Sequence, residues 1–154
     1  MISQSAEYAL RAALLLAEHS PVQGPVRADE VADQLRVPRN YLSKILHELT
    51  QHGLLKSTRG PRGGFRLARP PEGITLESIV EVFDPDLLAE EHKCLLGRPE
   101  CSDENRCAAH DHWKEVSSAV RRFFRTTSLH DLASSRDPVS PTGGVPIPAG
   151  ERPA

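Results

Sequence analysis

The sequence predicts a mainly α fold with one small β-hairpin: a winged helix-turn-helix followed by a long C-terminal helix suited to dimerisation. Three observations predict it. Two short apolar-periodic segments are separated by the tight break Arg36-Val37-Pro38. A turn rich in glycine and proline, Arg59-Gly60-Pro61-Arg62-Gly63-Gly64, then joins two short strand-like runs. A long amphipathic segment follows a loop that carries all three cysteines.

Taken in order, Ser3 to Glu18 reads as a helix. Ser3 or Ser5 caps it, and Ala9, Leu10, Ala13, Leu14 and Ala17 share one side at spacings of three and four. Leu15 and Leu16 add apolar area elsewhere, so this helix needs more than one partner, a second subunit among the candidates. Ser20 to Pro25 is a connector with two prolines and a glycine. A second helix runs from about Ala28 to Leu35 with Val31 and Leu35 inward. A third runs from about Arg39 to His52, carrying Tyr41, Leu42, Ile45, Leu46 and Leu49, and Gly53 ends it. Leu54–Thr58 and Phe65–Ala68 are the strands of the wing. Thr75 caps a fourth helix whose apolar face is Leu76, Ile79, Val80 and Phe83, and Asp84-Pro85 stops it. A loop from about Glu90 to Cys107 precedes a long helix from about Ala108 to Arg125. Its stripe of Trp113, Val116, Val120, Phe123 and Phe124 suits a partner subunit. Ser128 caps a last short helix through Ala133. The proline- and glycine-rich tail is expected to be disordered. The resulting organisation is 1–83 winged helix-turn-helix, 84–107 cysteine-rich loop, 108–134 dimerisation helix and short helix, and 135–154 tail.

Composition sets the function class. The net charge of −2 hides an asymmetry. Arg36 to Arg69 holds eight basic residues against Glu48, a net of +7, so the remainder carries −9. A basic middle between acidic ends is a local footprint for nucleic acid. No apolar run reaches the roughly 20 residues of a membrane helix, and the run from Ala9 to Ala17 lacks the basic flank of a signal peptide. A cytoplasmic protein without membrane partners is expected. There is no Cys-x-x-Cys, no nucleotide loop and no paired carboxylates for catalysis, so an enzyme is not expected. Three cysteines within fourteen positions, in a reducing compartment, point to metal or redox chemistry rather than a disulfide frame.

The start of the third helix presents Arg39, Asn40, Tyr41, Ser43 and Lys44. Arginine can read guanine and asparagine adenine in the major groove. Tyr41 packs inward or meets phosphate, and Lys44 suits phosphate. Arg59 and Arg62 arm the wing for a minor groove. The expected partner is a double-stranded DNA operator.

Ser3–Arg11, the helix start Arg39-Asn40-Tyr41-Leu42, the turn Arg59 to Phe65 and the three-cysteine loop together resemble the Rrf-two superfamily of IscR/NsrR-type regulators, over about Met1 to Leu132. The resemblance implies a homodimer crossed through its long helix on a pseudo-palindromic operator, acting as a repressor. It implies an iron–sulfur cluster in many members and none in others. Cys94, Cys101 and Cys107 would be its thiolates, with spacings x6 and x5. Two residues compete for the fourth position. His110 completes a Cys-x-x-His pair like that of 2Fe–2S regulators, and Glu7 matches a carboxylate that the other subunit supplies in members sensing nitric oxide or redox state. A 2Fe–2S cluster is favoured over 4Fe–4S. Zinc or reactive thiols in the same loop are the alternative.

Overall fold

The computed structural model describes residues 2–19, 24–89 and 93–134. Residues 20–23 of the Ser20–Pro25 connector, 90–92 at the start of the expected cysteine loop, and the tail at 135–154 expected to be disordered lie outside them. Helix α1 (Gln4–Glu18) is capped by Ser3, whose hydroxyl accepts from the Ala6 amide. The Ser3 amide itself donates to Asp84 at 2.6 Å, tying the chain start to the far end of the domain. Ala6, Ala9 and Ala12 are fully buried, as are Leu15 and Leu16 nearly so. Small residues let neighbours approach on several sides, and α1 packs against helices at 39–51, 76–83 and 129–133. At least three of its packing partners lie within the same chain.

Helices α2 (Ala28–Leu35) and α3 (Arg39–Gln51) form the helix-turn-helix. Arg36 takes a left-handed backbone, φ 55°, and its amide closes α2 onto Ala32 and Asp33. Val37 is buried under the turn. Leu42, Ile45, Leu46 and Leu49 bury one side of α3 and leave Arg39, Asn40 and Lys44 outward. Strands β1 (Leu55–Thr58) and β2 (Gly64–Leu67) pair antiparallel, Leu55 opposite Leu67 and Thr58 opposite Gly64. Val26 adds a bridge outside the hairpin: it exchanges two backbone hydrogen bonds with Phe65, at 2.9 and 2.7 Å.

That bridge explains Gly64. A Cβ there would stand 2.4 Å from the Val26 carbonyl oxygen, a backbone atom that cannot step aside. Gly64→Ala is expected to cost about 1–3 kcal/mol by overpacking and to loosen the wing. Urea unfolding checks the first effect, and amide exchange at Val26 and Phe65 the second.

A 3-10 turn at Pro71–Gly73 leads to α4 (Leu76–Phe83), capped by Thr75. Pro85 ends α4 and also opens a short helix, α5 (Pro85–Leu88), since proline suits a first helical position. Helix α6 (His110–Thr126) starts two residues later than the sequence suggests, and α7 (Leu129–Ala133) follows with a Ser128–Asp131 capping box. Leu76 donates to Thr127 and Leu129 to Ile74, each at 2.9 Å. The end of α6 is thus clipped to the start of α4. The α6 stripe splits: Phe124 turns into the domain's core, while Val116 and Phe123 are 54% and 51% exposed. The fold is a mainly helical winged helix, as the sequence predicts. No helix among the described residues is long and apolar enough to cross a membrane.

Candidate metal centre and nucleic-acid interface

The loop before α6 folds back so that the sulfurs of Cys94, Cys101 and Cys107 all lie within 4.8 Å of one another. Cys94 Sγ and Cys107 Sγ are 3.6 Å apart. His110, the first residue of α6, brings Nδ1 to 3.2 Å from Cys101 Sγ and is itself buried. The loop is anchored where Trp113 Nε1 donates to the Lys93 carbonyl at 3.0 Å and Lys93 pairs with Asp86 at 2.9 Å. Two thiolates bound at about 2.3 Å to one tetrahedral metal stand roughly 3.7 Å apart, which the Cys94–Cys107 separation fits. Three thiols and an imidazole nitrogen are a donor set suited to iron or zinc. Glu7 is elsewhere: it sits in the first turn of α1, 56% exposed, with Arg11 at 3.7 Å. Within one chain the structure brings His110, and not Glu7, to the cysteines. His112 faces outward on α6.

The second candidate surface lies between α3 and the wing. A groove of about 530 Å³ is lined by Arg39, Ser43, His47, Thr58 and Arg59, among others. Arg39 carries a loose pairing with Asp33 at 3.3 Å, exposed on both sides and therefore exchangeable. Asn40 and Lys44 are exposed beside it, and Arg62 is exposed at the wing tip. Tyr41 is drawn the other way. Its hydroxyl lies 2.6 Å from Ser5 Oγ, and its ring stands edge-on to Tyr8 at 5.8 Å between centroids. It braces α3 against α1. His47 was not singled out from the sequence, although it falls four residues after Ser43 and eight after Arg39 on one helical face. Its ring leans on Phe65 of the wing at 5.9 Å.

Residues 2–135 match the Rrf2 (Rrf-two) family, described as iron-dependent transcriptional regulators. The chain belongs to the Rrf2 family. It is therefore a DNA-binding transcriptional regulator and not an enzyme. A candidate HTH-type transcriptional regulator of Aquifex aeolicus is 37% identical over 134 residues, 86% of this chain and 90% of that one. The transcriptional regulator IscR of Yersinia pseudotuberculosis is 28% identical, over 88% of this chain and 80% of its own. Among solved structures, CymR, the global cysteine regulator of B. subtilis, superposes with a TM-score of 0.73 at 28% identity, over 89% of this chain and 98% of CymR.

In this Rrf2 chain the electrostatics of the loop are uneven. Hydrogen bonding from the Arg98 amide, with help from the Leu96 amide and the neighbouring thiols, brings the Cys94 thiol down to about 7. The Cys107 amide pulls Cys101 the same way, but burial and the adjacent Cys107 and Cys94 sulfurs outweigh it, and the net shift is upward. Asp103 was also not visible as a functional residue. Its carboxylate accepts from Lys114 Nζ at 2.6 and 2.7 Å and lies 3.0 Å from His110 Nε2. The Lys114 hydrogen bond, then that of His110, holds the Asp103 carboxyl down at about 2. No sequence pattern marks it: the two contacts span seven and eleven residues from an irregular loop into a helix.

Proposed function

We propose that this Rrf2 regulator binds a pseudo-palindromic operator as a homodimeric repressor, with DNA affinity set by an iron–sulfur cluster on Cys94, Cys101, Cys107 and His110. The observation that carries this reading is the convergence of three sulfurs within 4.8 Å, with a buried imidazole nitrogen 3.2 Å from one of them. The short contacts are Cys94 with Cys107 and Cys101 with His110, and Cys101 also neighbours the other two sulfurs. Two donors per iron is the demand of a 2Fe–2S cluster, whereas a 4Fe–4S cluster takes one per iron. Three thiols and one imidazole make up that count of four, so we favour 2Fe–2S with His110, which within one chain lies beside the cysteines, as the fourth ligand. Bound there, the cluster would supply redox- and nitric-oxide-sensitive chemistry, with His110 as the one ligand that is not a thiolate.

His110 is both a ligand and the first residue of α6, so a change at that bond acts on the start of the helix. The far end of α6 is clipped to α4 in the DNA-binding body. Val116, Val120 and Phe123 lie on one line along α6, and two of them are exposed large apolar side chains. A second copy of α6 covers them in the proposed dimer. Movement of α6 then alters the separation of the two α3 helices, and with it the fit to paired half-sites. Phe123→Asp is expected to shift the protein from dimer to monomer in sedimentation velocity; an unchanged dimer places the interface elsewhere.

Arg62 is proposed as a wing contact. Arg62→Ala should weaken operator binding and shallow the dependence of log K on log salt by about one unit. An unaltered slope, measured by fluorescence anisotropy, rules the contact out.

The experiment for the cluster is anaerobic purification with an absorption spectrum and iron and sulfide assays. Visible thiolate-to-iron bands with two irons and two sulfides per chain are expected. A colourless protein with stoichiometric zinc, or with neither metal, contradicts the reading. It would favour a second one, regulation through zinc or reactive thiols, which draws on the 3.6 Å Cys94–Cys107 approach and the likeness to a cysteine regulator.

A further inference from the structure

We infer that Asp103, clamped by Lys114, is a positioning residue that holds the Nε2–H of His110 and thereby turns the bare Nδ1 toward the cysteine sulfurs. The inference rests on the reading that these cysteines and His110 bind a metal. It adds a group outside the ligand set that decides which nitrogen binds.

The chemistry runs from one constraint. Asp103 is paired with the Lys114 ammonium through both carboxylate oxygens, at 2.6 and 2.7 Å. An ionised carboxylate only accepts hydrogen bonds. His110 Nε2, 3.0 Å away, must therefore carry the hydrogen and donate it. In a neutral imidazole the other nitrogen is then a lone pair. That nitrogen is Nδ1, and it faces Cys101 Sγ at 3.2 Å, accepting from the thiol in the metal-free chain. A histidine whose remote N–H is held by a carboxylate has its tautomer and ring orientation fixed and its basicity raised.

The remaining freedom of the ring is also limited. The His110 backbone is set by the start of α6, where its amide donates to the Cys107 carbonyl at 3.1 Å. The Asp103 main chain is set by its own loop: Arg106 Nε donates to the Asp103 carbonyl at 2.8 Å, and Ser102 and Asn105 close a backbone turn around it. His110 is 6% exposed, so the ring has few other places to go. The Asp103–Lys114 pair is 59% and 41% exposed, which makes it a poor source of stability. Its consequence lies in orientation, and removing it should leave the fold intact.

The test uses cobalt(II) as the probe, added anaerobically to the reduced, metal-free full chain and followed by thiolate-to-cobalt charge-transfer absorption. Four proteins are compared with wild type: Asp103→Ala, Asp103→Asn, His110→Ala and the double variant Asp103→Ala with His110→Ala. Asp103→Ala is expected to weaken cobalt binding by about 10- to 100-fold. Asp103→Asn keeps an acceptor oxygen and should recover part of the loss. In the His110→Ala background, Asp103→Ala should have no further effect, because its only route to the metal is the ring. Nitrogen-15 NMR of the wild-type imidazole supplies a reading that needs no variant: Nε2 protonated, Nδ1 bare. Equal affinity of Asp103→Ala and wild type overturns the inference. So does a loss that persists without His110, cobalt affinity indifferent to His110, or a proton on Nδ1. These readouts are separable from the cluster itself. Iron-free protein from anaerobic purification contradicts the cluster and leaves the cobalt cycle standing; an uncoupled cycle removes Asp103 and leaves the iron content untouched.

Discussion

Cys107→Ala protein, purified anaerobically, is expected to be folded, colourless and free of iron and sulfide above background. Cys107 supplies one of three sulfurs that lie within 4.8 Å of one another, and it is one half of the 3.6 Å pair with Cys94. Removing it leaves two thiols and one imidazole, one donor short of two per iron. The fold should not notice. Among the described residues from 93 to 109, none contributes to the buried apolar core, which is built from α1 to α4 with Leu88, Phe124 and Leu129. Surface changes away from a core commonly stay within about 0.5 kcal/mol, so circular dichroism and the unfolding midpoint should match those of metal-free wild type. Iron retained at the wild-type ratio would take Cys107 out of the site.

Leu46→Ala has the opposite signature: a large loss of stability with the metal loop untouched. Leu46 is fully buried on α3, packed with Leu42 and Leu49, which are also fully buried. A buried leucine truncated to alanine loses its transfer energy and leaves a cavity, about 2–5 kcal/mol in all. Small domains hold only about 5–15 kcal/mol, so the variant should unfold at markedly lower urea and bind operator poorly at 37 °C. Its effect on DNA arises because the same helix that presents Arg39, Asn40 and Lys44 is anchored by this leucine. A destabilisation below about 1 kcal/mol would contradict the packing described here.

The two variants separate what the sequence makes legible from what it does not. Helices α2 and α4 are readable nearly to the residue, because each has its own apolar face and its own stop, Pro38 for one and Asp84-Pro85 for the other. The wing is readable from its glycines and arginines. Its third partner, Val26, is not: a single bridge has no period to detect. Helix α5 is hidden because Pro85 acts both as a stop and as a start. In the site, cysteine spacing announces the three sulfurs that converge, and the Cys-x-x-His step from Cys107 places His110 beside them. Glu7 is equally visible in sequence, and within one chain it lies apart from the cysteines, exposed beside Arg11. Of the two readings open for Tyr41, inward packing or phosphate, the structure has the first: Ser5 and Tyr8 draw it into the α1 contact. Asp103 and Lys114 are illegible because an irregular loop brings them to His110 through side-chain contacts alone.

In the proposed regulator the metal centre at the start of α6 sets DNA affinity through that helix. Operator binding by one preparation of the full chain, followed anaerobically by fluorescence anisotropy before and after chelation removes the cluster, tests this. Linkage between two sites in one protein commonly amounts to about 5- to 150-fold, so the two dissociation constants should differ by at least the lower figure. Cys107→Ala should coincide with the chelated protein. Identical operator affinities with and without the cluster would contradict the account, and would reduce Cys94, Cys101, Cys107 and His110 to a site that has no say in DNA binding.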